Sequence, residues 1–421
     1  MNLKVVAVLS ISLMVAGCAM NPWRKPSTEA GKAAAEAGSE QGGFSDDIAF
    51  LRTYTDVVIL KDRSGRGQVA VLPKMQGRVM TSTATGPDGF SFGWINRELV
   101  ASGQFVKHIN VFGGEDRFWL GPEGGQFSIF FEKGVPFDLD HWFTPASIDT
   151  ESWTLASKSA HSARLQKTIQ VKNYSGEVFD LRVDREVRVL DRNAALKQLG
   201  AAAGLGVNLV AFESNNKVVN TGPKPWTKET GLLSIWILGM FNPSPETTIV
   251  IPFKTGPESE LGPVVNDAYF GKVPEDRLVI KDGVMFFSGD GQYRSKIGLS
   301  PQRAKKLAGS YDAANRVLTV VQYDKPEGVV DYVNSMWELQ EQPFRGDVIN
   351  SYNDGPASPG AKPMGPFYEL ETSSPAAALA PGQSILHTHR TFHFIGDESQ
   401  LDAIARTTLG VGIAEIKSAL P

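Results

Sequence analysis

The chain has 421 residues and a formal net charge of −4, with 42% hydrophobic, 10% aromatic and 21% charged residues. That balance excludes a nucleic-acid binder, which needs a basic face to neutralise phosphates, and a chain this rich in apolar residues can bury a large core. The 42 Gly and 25 Pro point to many turns, hence to many strands.

Met1 to Lys4 carry one positive charge, and Val5 to Ala16 are apolar apart from Ser10 and Ser12. This stretch is shorter than the roughly 20 residues needed to span a bilayer, but it suits the apolar region of a signal peptide. Val15-Ala16-Gly17-Cys18 resembles the lipobox of bacterial lipoproteins. The resemblance implies cleavage after residue 17, a lipid on Cys18 and attachment to a membrane through acyl chains. Cys18 is the only cysteine, so no internal disulfide competes for it. By the same resemblance, Ala19 favours the outer membrane, with the body facing the periplasm or the cell surface. From Asn21 to Asp47 the chain is Pro, Ala, Gly, Ser, Glu and Lys, too poor in apolar residues to fold alone; Ala33 to Ala37 could form a helical turn. The expected organisation is a signal peptide over 1–17, a lipidated cysteine and tether over 18–47, and one domain over 48–421.

In the body, strand-like segments follow one another across turn residues. They are Val57–Leu60, Gln68–Leu72, Gly77–Thr81, Gln126–Phe131, Arg164–Val171, Val178–Val183, Arg316–Val321 and Ile385–Phe394. Arg97–Ser102, Pro301–Leu307 and Glu398–Leu409 read as helices, and Asn220–Lys228 as a long loop. Short β-branched segments with Gly- and Pro-rich connections predict an all-β antiparallel sandwich with few short helices. No fixed-period repeat points to a propeller or solenoid.

Three segments resemble the galactose mutarotase superfamily, which includes the aldose 1-epimerases: Val69 to Met80, the glycine-rich Gly113 to Gly125, and Phe367 to Thr372 followed by Leu379-Ala380-Pro381-Gly382. The resemblance implies an antiparallel β-supersandwich and a carbohydrate ligand. It also implies a sugar-binding Arg at Arg117 and a catalytic carboxylate at Glu371, with no cofactor. More narrowly, the chain is similar to a group of bacterial lipoproteins in that superfamily. One departure stands out. Mutarotases place a general-acid His before a Tyr-Phe-Asn-like segment, whereas the match here is Gly239-Met240-Phe241-Asn242, and no histidine lies between His161 and His387.

Alternation along a strand puts Glu369 and Glu371 on one face, where paired carboxylates repel and one is driven to a higher pKa. His387, His389 and His393 share parity on the next strand. Should that strand pair with the Glu strand, imidazoles and carboxylates converge as an acid–base set or as metal ligands; whether a metal is involved stays open. The acid is then His387 or His108. In the glycine-rich segment, Glu115, Asp116, Arg117, Trp119 and Glu123 offer an aromatic face and charged forks for hydroxyls, although Glu115 or Asp116 could instead pair with Arg117. His389 and Asn353 are further candidate ligand contacts, Asn353 within a turn signal. Trp94, Trp226 and Trp236 read as core. The functional expectation is a carbohydrate-active envelope lipoprotein, an epimerase or a glycan-active lyase or hydrolase. The alternative is a non-catalytic glycan binder. Oligomeric state is not legible.

Overall fold

The computed structural model describes residues 42–202 and 206–421. Cys18, the signal peptide and the tether up to residue 41 lie outside the described residues. Regular secondary structure begins four residues before the expected domain start: a helix over Phe44–Tyr54 buries Phe44, Ile48 and Leu51 against Ala70, Leu72 and Met80. Polar Ser45, Asp46 and Asp47 disguise its start, and Asp47 is itself buried, pairing with Arg97 at 2.6 Å.

The body consists of antiparallel sheets. A small one holds β1 (Val58–Lys61), β2 (Gln68–Leu72) and β3 (Arg78–Thr83). A 10-stranded sheet runs in the order β11 (Leu278–Lys281), β12 (Val284–Ser288), β10 (Thr247–Pro252), β14 (Leu307–Asp312), β15 (Val317–Tyr323), β18 (Ser384–Ile395), β8 (Asn208–Asn220), β7 (Val178–Val189), β6 (Ser162–Lys172) and β5 (Thr154–Lys158). A 5-stranded sheet runs β13 (Ser295–Leu299), β16 (Ile349–Asn353), β17 (Tyr368–Ser373), β9 (Ser234–Phe241) and β4 (Arg117–Gly121).

The two larger sheets pack face to face. Ile235, Ile237 and Phe118 meet Leu181, Val183 and Val218 at one end, and Leu370, Ile297 and Ile349 meet Ile249, Phe287 and Val321 at the other. Burying two apolar faces against each other is what holds such a sandwich together. The helix Glu398–Leu409 covers the outer side of the large sheet, its Leu401, Ile404, Ala405 and Leu409 forming a helical stripe on Val250, Leu318 and Phe392.

The expected antiparallel β architecture is therefore present, and Arg97–Ser102 and Glu398–Leu409 are helical over the expected residues. Two segments differ. Gln126–Phe131 is a loop, because its apolar residues pack singly into the core around Trp142 rather than along a ladder. Pro301–Leu307 is a turn leading into β14, held by Arg303, whose guanidinium donates to the carbonyls of Lys254, Gly256 and Gly262.

Candidate active site

β6 and β7 alternate buried and exposed residues, as a half-solvated sheet must. β4, β9 and β16 are buried on both faces. On the 5-stranded sheet the inner face is the core, and the outer face is covered by loops that leave a cavity of about 340 Å³. Period-2 alternation puts Arg117 and Trp119 of β4, Trp236, Leu238 and Met240 of β9, Glu369 of β17, Tyr352 of β16 and Lys296 of β13 on that face. Lys107, His108, Glu123, Trp142, Phe270, Arg294 and Trp337 come from the surrounding loops.

The acidic strand and the glycine-flanked arginine thus line one hollow. Arg117 donates through Nη2 to Glu369 Oε1, and its guanidinium carbon lies 5.4 Å from the Trp119 ring centroid. Burial pushes the Glu369 carboxyl above its ordinary range; Arg117 works against this, and the charge of Glu371 adds to it. Glu371 shares the face of Glu369 but is fully buried under the floor, where its Oε2 accepts from Trp236 Nε1 at 2.9 Å and Lys296 Nζ at 3.1 Å. Lys296 sits 4.7 Å from the Trp236 ring centroid. Its burial opposes the charge, but Glu371, Glu123 and Glu369 together raise its pKa.

Glu123 is the lining carboxyl whose pKa lies nearest neutrality. Burial in the cavity, with the charge of Glu371, raises its carboxyl to about 7, although Lys296, Arg294 and a hydrogen bond from Trp337 pull the other way. A carboxyl titrating there exchanges protons readily at neutral pH. The imidazole of His108 is fixed by Nδ1, 2.6 Å from the carbonyl of Trp142. A carbonyl only accepts, so Nδ1 carries a hydrogen. Trp119 stands edge-on to Trp236 with centroids 5.5 Å apart, and Trp142 stacks on Trp337 at 5.7 Å, so indoles form much of the wall.

Other sequence candidates lie elsewhere. β18 does not pair with β17; it crosses into the large sheet between β15 and β8. His387 and His389 share a parity as expected, but that face points into the sandwich, where both imidazoles meet Thr372 Oγ1 on the back of the Glu strand. His393 Nε2 lies 3.0 Å from Glu115 Oε2, and Ser82 donates to the same oxygen at 2.9 Å. Glu115, His387 and His389 are therefore core residues, separated from the cavity by the sheet. Asn353 is also buried, and it pins the 290–293 loop: it accepts from Gly291 N at 2.8 Å and donates to Asp290 Oδ1 and Tyr293 O, both at 3.0 Å. No metal-ligand group of three or more His, Cys, Asp or Glu occurs among the described residues.

The front of the glycine-rich segment is structural and its back lines the cavity. Gly113, at φ 96°, would place a Cβ 2.0 Å from the Trp94 carbonyl oxygen, so Gly113→Ala strains both backbone and packing. A loss of about 1–3 kcal/mol in urea unfolding is expected; an unchanged midpoint would show that the Trp94 segment simply yields. Sequence reasoning missed Lys296, Arg294, Trp142 and Trp337; Trp236, read as core, is buried in it and also faces the cavity. The signal for Lys296 was present: Ser295-Lys296-Ile297-Gly298-Leu299 is a strand whose one charge sits at the outward parity.

A family model described as a family of unknown function (DUF6786) matches residues 42–420. No curated protein matches the chain. Among solved structures, a galactose mutarotase-like protein from Lactobacillus casei ATCC 334 is similar in fold at 9% identity, covering 80% of this chain and 100% of its own, with TM-score 0.46. A galactose mutarotase related enzyme from Lactobacillus acidophilus is similar at 8% identity, covering 81% and 98%, with TM-score 0.44. The Slr1438 protein of Synechocystis sp. PCC 6803 is similar at 12% identity, covering 81% and 96%, with TM-score 0.47.

Proposed function

The chain belongs to the family of unknown function DUF6786, and we propose that it is a carbohydrate-active protein that moves protons on a sugar ring held in the indole-walled cavity. One observation carries this reading. Carboxyls Glu123 and Glu369 line a single cavity whose walls include Trp119, Trp142, Trp236 and Trp337. Indole faces take the C–H faces of a pyranose, and the charged floor takes its hydroxyls.

Epimerisation at the anomeric carbon fits this arrangement. Glu123, ionised above about pH 7, takes the proton of the anomeric hydroxyl. Glu369, kept protonated by burial and by Glu371 and oriented by Arg117, gives one to the ring oxygen as its bond to the anomeric carbon breaks. The open-chain aldehyde then turns about the neighbouring C–C bond and recloses on its other face as both protons return. Glu371 stays under the floor with Lys296 and sets the charge that Glu369 feels. This replaces the expected pairing of Glu371 as base with His387 or His108 as acid; of those two imidazoles His108 lines the cavity and His387 does not.

Anomer-exchange NMR on a panel of reducing sugars tests this. Acceleration is expected for at least one sugar, rising with pH through about 7, and Glu123→Gln should slow it at least about 100-fold and remove that limb. A specific observation favours a second reading, capture without turnover: Glu371, the carboxylate at which the resemblance places catalysis, is fully buried beneath the cavity floor. Tight binding with no acceleration of exchange decides for it; no binding of any saccharide overturns both. We also propose that lipidation of Cys18 anchors the protein in the cell envelope, on the strength of the Val15–Cys18 motif. Mass spectrometry of the mature N-terminus checks this; an unacylated residue 18, or uncleaved Met1, would dismiss it.

A further inference from the structure

The cavity's cations are not all matched at close range. Arg117 bonds the Glu369 carboxyl and Lys296 pairs with Glu371. Arg294, just before β13, is the exception. Its guanidinium carbon lies 3.8 Å from the centroid of the Phe270 ring, another wall of the cavity. Among the described residues no carboxylate stands within salt-bridge distance of it, and no side chain or carbonyl accepts from it. Its charge still reaches the cavity's acids, lowering the pKa of Glu123. Lys107 and Asp140, of opposite sign, share the lining.

A guanidinium carries donors in a rigid fork that matches a planar or tetrahedral anion, and it is poorly satisfied by neutral hydroxyls alone. Here the fork is half-buried, laid on an aromatic face, and unspent. Its backbone is held as well. Asn353 bonds Asp290, Gly291 and Tyr293 on the approach to Arg294, and Arg277 pairs with Asp290 at 2.6 Å. A structure that fixes a cation and leaves it unpaired has prepared it for a partner from outside. A second unspent donor points the same way: Arg117 Nε, in a side chain only 3% exposed, has no hydrogen-bond partner.

Resting on the carbohydrate reading above, we propose that the ligand is an acidic sugar, with its anionic substituent seated on Arg294 and its ring between the indoles. A uronate carboxylate, a sulfate ester and a phosphate ester all offer the oxygens that the fork accepts.

Isothermal titration of the full chain with methyl glycosides separates the cases, because a locked anomer cannot be turned over. One hexose is compared as the neutral glycoside, the uronate, the 6-sulfate and the 6-phosphate. At least one anion should bind about tenfold or more tighter than the neutral form, as expected of a charge-assisted pair, and the strongest arm names the substituent. Arg294→Gln should bring that preference to within about twofold, while Arg294→Lys retains part of it; matched unfolding midpoints establish that both variants fold. Equal affinity for neutral and anionic glycosides, or a preference that survives Arg294→Gln, overturns the inference alone. Failure of every glycoside to bind overturns the carbohydrate reading with it.

Discussion

An Asp116→Asn variant is expected to lose about 3–5 kcal/mol of folding stability, read from urea unfolding, because it strands a buried charge. Arg185 on β7 and Asp116 are both 0% exposed, with Nη2 2.6 Å from Oδ1. The same guanidinium donates to the backbone carbonyl of Asp116 at 3.2 Å, to Gly77 O at 3.1 Å and to Asn216 Oδ1 at 2.5 Å. It therefore ties the large sheet to the segment entering β4. Asparagine keeps the shape and an acceptor, but the guanidinium loses its countercharge where no water can replace it. Adding Arg185→Met should restore much of the loss, since removing both charges also removes the desolvation penalty. A loss below about 1 kcal/mol in the single variant would mean that the arginine's carbonyl partners alone hold it. Arg117 follows Asp116 directly, so the cavity should loosen with the fold.

Much of this architecture was legible because it rests on short-range alternation. β2 and β18 read correctly from β-branched residues at period 2, and the pairing of Glu369 with Glu371 on one face followed from parity alone. Parity says which residues share a face, not which way that face points. β17 and β18 are adjacent in sequence, so a hairpin was the natural expectation, and it would have brought His387 and His389 to the carboxylates. The Leu379–Gly382 turn instead carries the chain across to the other sheet. The imidazoles then look at the back of the strand whose front bears the acids. Glu115 fails for a related reason: β4 begins at Arg117, so the alternation that places Arg117 and Trp119 does not extend back to it. Arg294 and Lys296 share one segment, but Trp142 and Trp337 lie far from it in the chain, and only the closed sheet and its loops gather them.

The buried histidine pair gives the second large effect, an acid lability that a His387→Gln/His389→Gln double variant should lack. Thr372 Oγ1 lies 2.8 Å from His387 Nε2 and 2.9 Å from His389 Nδ1. One hydroxyl hydrogen cannot serve two acceptors, so one imidazole accepts and the other donates, which neutral rings of complementary tautomer satisfy. The remaining atoms, His387 Nδ1 and His389 Nε2, are buried without partners and offer no route to stabilise a cation. Burial lowers His387 to about 3, with His389 adding repulsion, and lowers His389 to about 4, where Asp116 pulls back and Arg185 pushes on. Below the ordinary value of 6.5 the unfolded chain takes up protons that the folded chain refuses, so stability falls as pH drops from 6.5 toward 4. Glu123 and Asp149, raised to about 7 and about 6, slope the other way, since the folded state holds their protons longer. The difference between wild type and double variant isolates the imidazoles. Between pH 7 and 4.5 the stability gap between the two should shift by about 5 kcal/mol against the wild type; parallel curves would mean that the rings find a charged state the geometry does not offer. The two titrations also separate in function. On the proposed function, a rate limb near pH 7 would belong to Glu123 in the cavity, whereas loss of activity below 6.5 that tracks unfolding, and that the histidine variant escapes, would belong to the far side of the same sheet.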